Sequence, residues 1–269
     1  MNRKQYTAIA FALVGAAALS AQAVVAKDLT VAVYSAFTTL DPYDASDTLS
    51  QNVAKSFYEG LFGFDKNMKL VNVLAESYDV SKDGLEYTIK LKQGIKFSDG
   101  EPFNAAAVKA NFDRVTNPEN HLTRYQLYRN IESVEVVDDA TVKFHLKEAF
   151  SAFINQLAHP SGVMICPKTL ALSKKEVAFN PCGTGPYVLE KYNPAEYLVV
   201  KKNPNYWQKG LPKLDSISFR PVLEDATRVA MLRTGEAQFV DVVPPEHVER
   251  LKETPTIVVD AAPSIVQRQ

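Results

Sequence analysis

The strict alternation of apolar and polar residues between positions 85 and 147 most limits the folds open to this chain. A period of two is typical of half-buried β-strands and excludes an all-helical fold. The turn at Asp138-Asp139 joins two of these strands into a predicted hairpin. The alternating apolar residues are Tyr87, Ile89, Leu91, Val134, Val136, Val142, Phe144 and Leu146.

Helical patterns lie between these strands. Asn104 is placed to cap a helix whose apolar residues are Val108, Phe112 and Val115. Near the start of the chain, a strand at residues 28–33 precedes a polar loop. We therefore predict a mixed α/β (α+β) fold, with mixed sheets and flanking helices.

The polar loop at residues 35–46 leads into a second predicted helix. Asp47 or Thr48 would cap that helix, whose apolar residues Val53, Phe57 and Leu61 recur every four positions. Because the loop follows the carboxyl end of a strand, it occupies a position where α/β folds often hold ligands.

The last quarter of the sequence predicts four further elements. A helix runs from about Asp225 to Gly235, where glycine suits a left-handed cap, and a strand follows over residues 237–243. Pro244-Pro245 opens another helix. The segment from Thr256 to Gln269 is predicted to be extended, with a strand around Thr256–Asp260.

The first 26 residues have the pattern of a secretory signal peptide. Arg3 and Lys4 precede an apolar run at residues 8–19 that is shorter than the roughly 20 residues of an ordinary membrane span. Small residues allow cleavage after Ala23 or after Ala26. The alternative is an N-terminal anchor helix. We expect a protein that acts in the periplasm.

Composition and motifs exclude several classes of function. The chain has 269 residues, 46% of them hydrophobic, with 30 basic and 31 acidic residues and no strongly basic block, so nucleic-acid binding is not expected. No metalloprotease, hydrolase or nucleotide-binding motif is present, and the four histidines are scattered. We predict neither an enzyme nor a metal site nor a cofactor.

Cys166 and Cys182 are the two cysteines, and an oxidising compartment would let them pair. A loop of this size stabilises the fold by about 3 kcal/mol in the loop-entropy model. A structural disulfide is the preferred interpretation, and two free thiols are the alternative.

Four motifs resemble family 5 of the solute-binding proteins, which are periplasmic peptide, nickel and opine receptors of ABC importers. They occur in family order across most of the chain. They are the run from Asp83 to Val108, Pro181-Cys-Gly-Thr-Gly-Pro-Tyr187, Asn203-Pro-Asn-Tyr-Trp207, and Thr227-Arg-Val-Ala-Met-Leu-Arg-Thr-Gly235. The resemblance implies a type II-like periplasmic binding protein lobe, a small peptide ligand and inner-membrane permease subunits as partners.

Within the family, the segments at residues 37–44, 47–51 and 73–78 resemble the glutathione-binding members. The resemblance therefore implies glutathione or a similar short peptide as the ligand. General dipeptide or oligopeptide receptors share much of this sequence and stay an alternative. A periplasmic interaction module without a small ligand is another, and nickel or haem capture is a third.

Family members are around twice as long and close two lobes on their ligand. The chain resembles the first lobe alone, so we expect the second lobe to be missing and glutathione to bind weakly or not at all. The expected units are residues 27–59 with 207–269 as a core subdomain and residues 60–206 as an inserted β-rich subdomain. A full-length receptor would be a monomer, whereas an exposed strand near Thr256 would favour self-association.

The candidate ligand-binding residues come from three places. The loop after the first strand would offer backbone N–H and hydroxyl groups, and the resemblance implies an aromatic wall near residue 125. An arginine beside that wall could pair with a ligand carboxylate through two hydrogen bonds. The candidates are Ala36, Phe37, Thr38, Thr39, Arg124, Tyr125, Ser161 and Gly162.

Overall fold

A computed structural model describes residues 27–260, and the predicted signal peptide lies outside these residues. The strands are β1 (Asp28–Val33), β2 (Phe62–Phe64), β3 (Leu70–Asn72), β4 (Ala75–Val80), β5 (Glu86–Leu91), β6 (Ile131–Asp138), β7 (Thr141–Leu146), β8 (Tyr187–Asn193), β9 (Tyr197–Lys202), β10 (Ser216–Pro221) and β11 (Phe239–Val240). The helices are α1 (Thr48–Ala54), α2 (Ala105–Thr116), α3 (Tyr125–Tyr128), α4 (Phe153–Leu157), α5 (Pro167–Leu170), α6 (Lys174–Val177), α7 (Asp225–Thr234) and α8 (Pro245–Lys252), with a 3₁₀ turn at Pro118–Asn120. No helix within residues 27–260 is long and apolar enough to cross a membrane.

The larger sheet has five strands in the order β11-β1-β10-β9-β8. Strand β1 lies parallel to β10 and β11, while β9 runs antiparallel to both of its neighbours, β10 and β8. Alternation along β1 buries Val31 and Val33. Because the chain leaves β1 at Val33, the polar loop begins at the carboxyl end of this strand, as the sequence predicts.

The smaller four-stranded sheet is antiparallel, in the order β4-β5-β7-β6. Its hairpin is the predicted one, since β6 and β7 pair across the turn after Asp138. Asn104 caps α2 by accepting a hydrogen bond from the Ala107 backbone N–H, and α2 packs on β6. The mixed α/β fold class is confirmed, and one continuous core spans both sheets.

Three predicted elements differ from the structure. Asp47 does cap α1, but this helix ends at Ala54, and Phe57 and Leu61 are buried beyond it. The strand predicted over residues 237–243 is reduced to Phe239–Val240, and Val242 has a left-handed backbone with φ 65°. Residues 256–260 form no strand, so the exposed strand edge that would drive self-association is absent from the described chain.

The division into two subdomains stays a proposal. The strand pairing in the two sheets indicates where the boundary between the subdomains would lie. The sequence predicts residues 60–206 as one unit, yet β9 pairs with β10 in the larger sheet, and β8 pairs with β9. The smaller sheet, by contrast, draws all its strands from residues 75–146. This pairing favours a boundary close to residue 186, because strands that share a ladder separate less readily than strands that only pack together.

Candidate ligand-binding site

Most polar groups of the loop after β1 already form hydrogen bonds within the loop or with α1. The Phe37 side chain is buried and packs edge-on against Phe219, so only its backbone is available to a ligand. Ala36 and Thr38 are exposed. The backbone N–H of Thr38 donates to Ser50 Oγ at 2.9 Å, and the Thr38 hydroxyl donates to Asp47. Thr39 Oγ1 accepts the backbone N–H of Asp41.

Asp47 connects this loop to α1. It accepts the Ser50 backbone N–H at 2.8 Å and so satisfies one of the free donors at the start of the helix. Partial burial alone would raise the pKa of Asp47, but hydrogen bonds from Thr38 and Ser50 outweigh it and lower that pKa. Asp47 is therefore ionised at neutral pH.

A buried ion pair lies below the loop. Asp41 is 1% exposed, and Arg114 of α2 donates to both of its carboxylate oxygens. Asp41 Oδ1 also accepts the backbone N–H of Tyr43 at 3.0 Å. No sequence pattern predicted this pair, although Asp41 lies within the polar loop at residues 35–46. It fixes where the loop can lie.

Arg124 is half-buried and is held against the same loop. Its Nε and Nη2 atoms both donate to the Ala45 carbonyl, at 2.9 and 2.6 Å. Among the described residues, no group accepts a hydrogen bond from Nη1. Tyr125 follows at the start of α3 and is also half-buried. Nε and Nη2 each use one N–H on Ala45, and the second N–H of Nη2 lies beside those of Nη1. Two-bond pairing of Nη1 and Nη2 with a ligand carboxylate, as considered from the sequence, is therefore compatible with the Ala45 contact.

Ser161 and Gly162 lie beside Tyr128, inside the protein. Ser161 is fully buried, and its hydroxyl is shared with Tyr128 at 3.0 Å and with His159 Nδ1 at 2.8 Å. A Cβ on Gly162 would lie 2.4 Å from the Leu157 carbonyl oxygen, so this glycine permits a close backbone approach. Neither residue presents a free side-chain donor.

His159 is hydrogen-bonded to Ser161 and lies close enough to Arg124 for that charge to shift its pKa. Burial lowers the pKa of His159, and the Arg124 charge lowers it further. The imidazole is neutral at pH 7, which leaves Arg124 as the cation here. The structure therefore brings Arg124, Ser161 and Gly162 together around Tyr128, and the Ala45 carbonyl connects them to the loop. Of these three residues, Arg124 is the one that keeps a free side-chain N–H for a carboxylate.

A second polar centre was not predicted from the sequence. The half-buried Glu59 carboxylate accepts hydrogen bonds from Thr184 Oγ1 at 3.0 Å, Tyr206 OH at 2.9 Å and Trp207 Nε1 at 2.7 Å. Lys92 lies over the Trp207 ring. Burial raises the pKa of Glu59, and the three donors offset part of that rise. Two of the quoted motifs therefore converge on Glu59.

The glycine turn of the first of these motifs packs against the segment after α1. Gly185 N–H donates to the Phe57 carbonyl at 2.9 Å, and a Cβ at Gly185 would lie 2.4 Å from the Phe57 carbonyl carbon. This close backbone contact fixes the Gly183-Thr-Gly-Pro turn against the segment after α1.

Cys166 and Cys182 are joined by a disulfide with a Cα–Cα distance of 5.4 Å, within the usual range. It lies next to the bridge between Ile165 and Gly183. The Asp99 carboxylate approaches both sulfur atoms. Bonded to each other, these sulfurs are not thiolates, so the group is not a metal site in this state.

Comparison with known proteins decides the family. The profile of bacterial extracellular solute-binding proteins, family 5, middle region, matches residues 69–268. The chain belongs to this family. The prediction from the four motifs is confirmed, and a periplasmic location follows from the family.

The curated relatives include glutathione-binding proteins. GsiB of Salmonella typhimurium is 61% identical over 246 residues, which cover 91% of this chain and 48% of that protein. GsiB of Escherichia coli K12 is 59% identical over 255 residues, which cover 95% of this chain and 50% of that protein. The chain spans about half the length of the curated relatives it matches.

Solved structures agree on the fold. AgaA of A. tumefaciens R10, in complex with agropinic acid, has a TM-score of 0.78 and 30% identity, over 85% of this chain and 46% of that one. DppA of Helicobacter pylori, in complex with the peptide STSA, has a TM-score of 0.79 and 27% identity, over 87% and 50%. Both are periplasmic binding proteins, which confirms the predicted lobe.

Proposed function

We propose that this chain is part of the solute-binding component of an ABC importer for glutathione or a similar short peptide. The observation that carries the proposal is the 61% identity to GsiB over 91% of the chain. The role is capture and delivery to inner-membrane permease subunits, not catalysis. Proteins of this type close two lobes around a hinge and bury the ligand between them.

The arrangement around Arg124 supports an anionic ligand. Glutathione carries two carboxylates and one ammonium group, so its receptor needs cationic or N–H donors as well as an acidic partner. Arg124 Nη1 and the backbone N–H of the exposed Ala36 are donors that the described residues offer, whereas the Thr38 N–H is already used by Ser50. Hydrogen bonds to charged groups contribute about 1.5–3 kcal/mol each.

The resemblance places the acidic partner for the ammonium group on the other lobe. We therefore expect this chain alone to bind glutathione weakly or not at all. Losing a few charged contacts raises Kd by orders of magnitude, since about 1.4 kcal/mol corresponds to a factor of ten. Isothermal titration of the chain measures this, and a micromolar Kd would contradict the expectation.

A hybrid receptor tests the identity of the ligand independently of how weakly this chain binds alone. The remaining half of Salmonella GsiB, fused after this chain, would complete a receptor. We expect the hybrid to bind glutathione at least about 100-fold more tightly than the chain alone, and Arg124→Gln to weaken that binding about tenfold. A hybrid that binds dipeptides in preference to glutathione would overturn the glutathione proposal.

A general dipeptide or oligopeptide receptor is the second candidate. It is favoured by the similarity to DppA of H. pylori, whose structure holds a peptide. A thermal-shift scan with glutathione, glutathione disulfide, dipeptides and nickel distinguishes the candidates, because binding to the native state raises the melting temperature. A cooperative melt that no ligand shifts, in the chain and the hybrid alike, would favour the interaction module without a small ligand.

We also propose that the chain is exported and cleaved after Ala23 or Ala26. Arg3 and Lys4, the apolar run and the small residues before each site support this. The mass of the periplasmic protein decides between the two sites. Recovery of the uncleaved chain in the membrane fraction would instead support an anchor helix.

A further inference from the structure

Three side chains that can ligate a metal ion lie together at the Cys166–Cys182 disulfide. The two sulfur atoms and a carboxylate oxygen of Asp99 are all within 4.8 Å of one another. Cys166 is buried, Cys182 is half-buried and Asp99 is exposed, so the group extends from the core to the surface. An ion beside the sulfurs would therefore reach them from solvent on the side of Asp99.

Backbone contacts hold the two cysteines together independently of their S–S bond. The Cys166 N–H donates to the Cys182 carbonyl at 2.9 Å, and Ile165 and Gly183 form a β-bridge next to this contact. The Cα atoms of the cysteines are 5.4 Å apart. Rotation of the side chains alone can therefore place the reduced sulfurs about 3.8 Å apart, as in two thiolates on one tetrahedral zinc ion with Zn–S bonds of about 2.3 Å.

The turn that carries Asp99 is tied to the same segment. The Ser98 N–H donates to the Gly183 carbonyl at 2.9 Å, and the Ser98 hydroxyl donates to Cys182 Sγ at 3.3 Å. Asp99 Oδ1 accepts the Glu101 backbone N–H at 3.1 Å, whereas no group among residues 27–260 donates to Oδ2. One carboxylate oxygen is thus available to an ion, and the Ser98 hydroxyl is placed to stabilise a Cys182 thiolate.

We propose that reduction converts this group into a zinc site formed by the Cys166 and Cys182 thiolates and the Asp99 carboxylate. Two equivalents of a small thiol supply the two electrons: the S–S bond breaks, the reductant leaves as its own disulfide, and two cysteine thiols remain. Zn²⁺ then displaces the two thiol protons and is held by three protein ligands, with water as the fourth. Thiolate ligands favour Zn²⁺ over Mg²⁺ and Ca²⁺, which prefer oxygen.

A neighbouring cation offsets the remaining negative charge of this site. Three anionic ligands exceed the charge of Zn²⁺ by one. Lys168 pairs with Glu101 at 2.6 Å. The hydrogen bond with Glu101 raises the pKa of Lys168, and the nearby Asp99 charge raises it further. Lys168 is therefore protonated at neutral pH and close to the carboxylate that would bind the ion.

Zn²⁺ titration of the chain in its oxidised and reduced states, without air and against a chromophoric chelator, tests the site. After reduction with a phosphine that is then removed, we expect one Zn²⁺ per chain with a Kd below about 1 μM, at least about 100-fold tighter than in the oxidised chain. Co²⁺ in place of Zn²⁺ should show thiolate charge-transfer absorption and the visible bands of a tetrahedral ion. Equal zinc affinity in the two redox states, or no binding by the reduced chain, overturns the proposal.

Two variants test the ligands. Cys182→Ser should abolish tight binding, and Asp99→Asn should weaken it about tenfold, because it removes an anionic ligand but keeps the oxygen that accepts the Glu101 N–H. Asp138→Asn is the matched control, since Asp138 is also an exposed turn residue whose Oδ1 accepts a backbone N–H two positions on, from Ala140. Equal zinc affinity in wild type and Asp99→Asn would show binding by the cysteines alone and would overturn the three-ligand site.

Thermal unfolding distinguishes a folded site from binding to the unfolded chain. Zn²⁺ held by the native fold should raise the melting temperature of the reduced chain and leave that of the oxidised chain unchanged. Zn²⁺ that binds the reduced chain without raising its melting temperature would overturn the proposal, because the unfolded chain then binds the ion equally well. Neither outcome depends on glutathione binding, since Arg124 is not among the zinc ligands.

Discussion

Glu59 and Arg124 are both half-buried charged residues with several hydrogen-bonding neighbours, but the two centres differ in what remains free. Glu59 receives three side-chain donors from two distant motifs, and each of its oxygens is used. Arg124 gives two of its nitrogens to a single carbonyl and keeps Nη1 free of described partners.

The difference shows that the most recognisable motifs of this chain maintain the scaffold. Thr184, Tyr206 and Trp207 hold the glycine turn and the end of the α1 segment around one carboxylate. The residues near Arg124 carry weaker sequence signals and are less constrained. We expect substitutions at the Glu59 centre to reduce stability, and substitutions at the Arg124 centre to affect binding more than stability.

Gly185→Ala should have the largest effect. Its Cβ would lie 2.4 Å from the Phe57 carbonyl carbon and 2.7 Å from the Tyr58 backbone nitrogen, so backbone rather than a flexible side chain would have to move. We expect a loss of about 3 kcal/mol or more in the free energy of unfolding, or failure to fold. Urea denaturation measures it.

Gly63→Ala is the matched control. Its Cβ would meet only the end of the Val73 side chain, at 3.2 Å, and its φ is not in the left-handed region. We expect a change below about 1 kcal/mol. Equal losses at both glycines would show that the close approach at Gly185 has no special cost.

The sequence predicted the elements whose pattern is local. The hairpin of β6 and β7, the Asn104 and Asp47 caps and the left-handed Gly235 all follow from spacing within a few residues. It missed Glu59, because the three partners of that carboxylate lie 125 to 148 positions away. No local pattern carries such information.

In the candidate site, too, the sequence predicted positions along the chain but not tertiary contacts. Position after a strand correctly placed residues 36–39 at the edge of the sheet. Sequence alone could not tell that Phe37 and Ser161 are buried, or that Ala45 occupies two nitrogens of Arg124. A free donor and a satisfied one look the same in a sequence, because tertiary contacts decide which is which.

Removal of the disulfide should cause the second-largest loss in the free energy of unfolding. Cys166 and Cys182 close a loop beside Gly183, next to the turn that Glu59 holds. The double variant Cys166→Ser/Cys182→Ser should lose about 3 kcal/mol by the loop-entropy estimate. Thermal unfolding with and without a reducing agent checks it: the wild type should lose stability on reduction, and the variant should not respond. An unchanged wild type would contradict the prediction.

Glu59→Gln should cause the third-largest loss, lowering the free energy of unfolding by about 2 kcal/mol at neutral pH. The loss arises because the new amide nitrogen would face one of the three donors. The effect depends on pH in a known direction. Burial raises the folded-state pKa of Glu59 above 4.5, so the folded protein binds the proton more tightly than the unfolded chain does. The contribution of Glu59 is therefore fully present below pH 4.5 and is reduced as the pH rises through the folded-state value.

The stability difference between wild type and Glu59→Gln should accordingly grow as the pH falls from 7 toward 4.5. Urea denaturation of both proteins across that range measures it. The Gln208→Glu variant, a change of the same two residue types outside this centre, controls for general effects of charge. A difference that shrinks toward acid would show that the three donors, and not burial, dominate the pKa of Glu59.

Thr38→Val should have the smallest effect, below about 1 kcal/mol. The hydroxyl that it removes belongs to an exposed residue and contacts the Asp47 carboxylate and Ser50 Oγ, so it supports the cap of α1. Its pH dependence has the opposite sign. The folded-state pKa of Asp47 lies below 3.8, so its contribution is present above pH 3.8 and is lost as the pH falls through the folded value. The gap between wild type and Thr38→Val should close in acid, while the Glu59→Gln gap widens. Parallel behaviour of the two gaps would contradict the contrast between a carboxylate dominated by burial and one dominated by its donors.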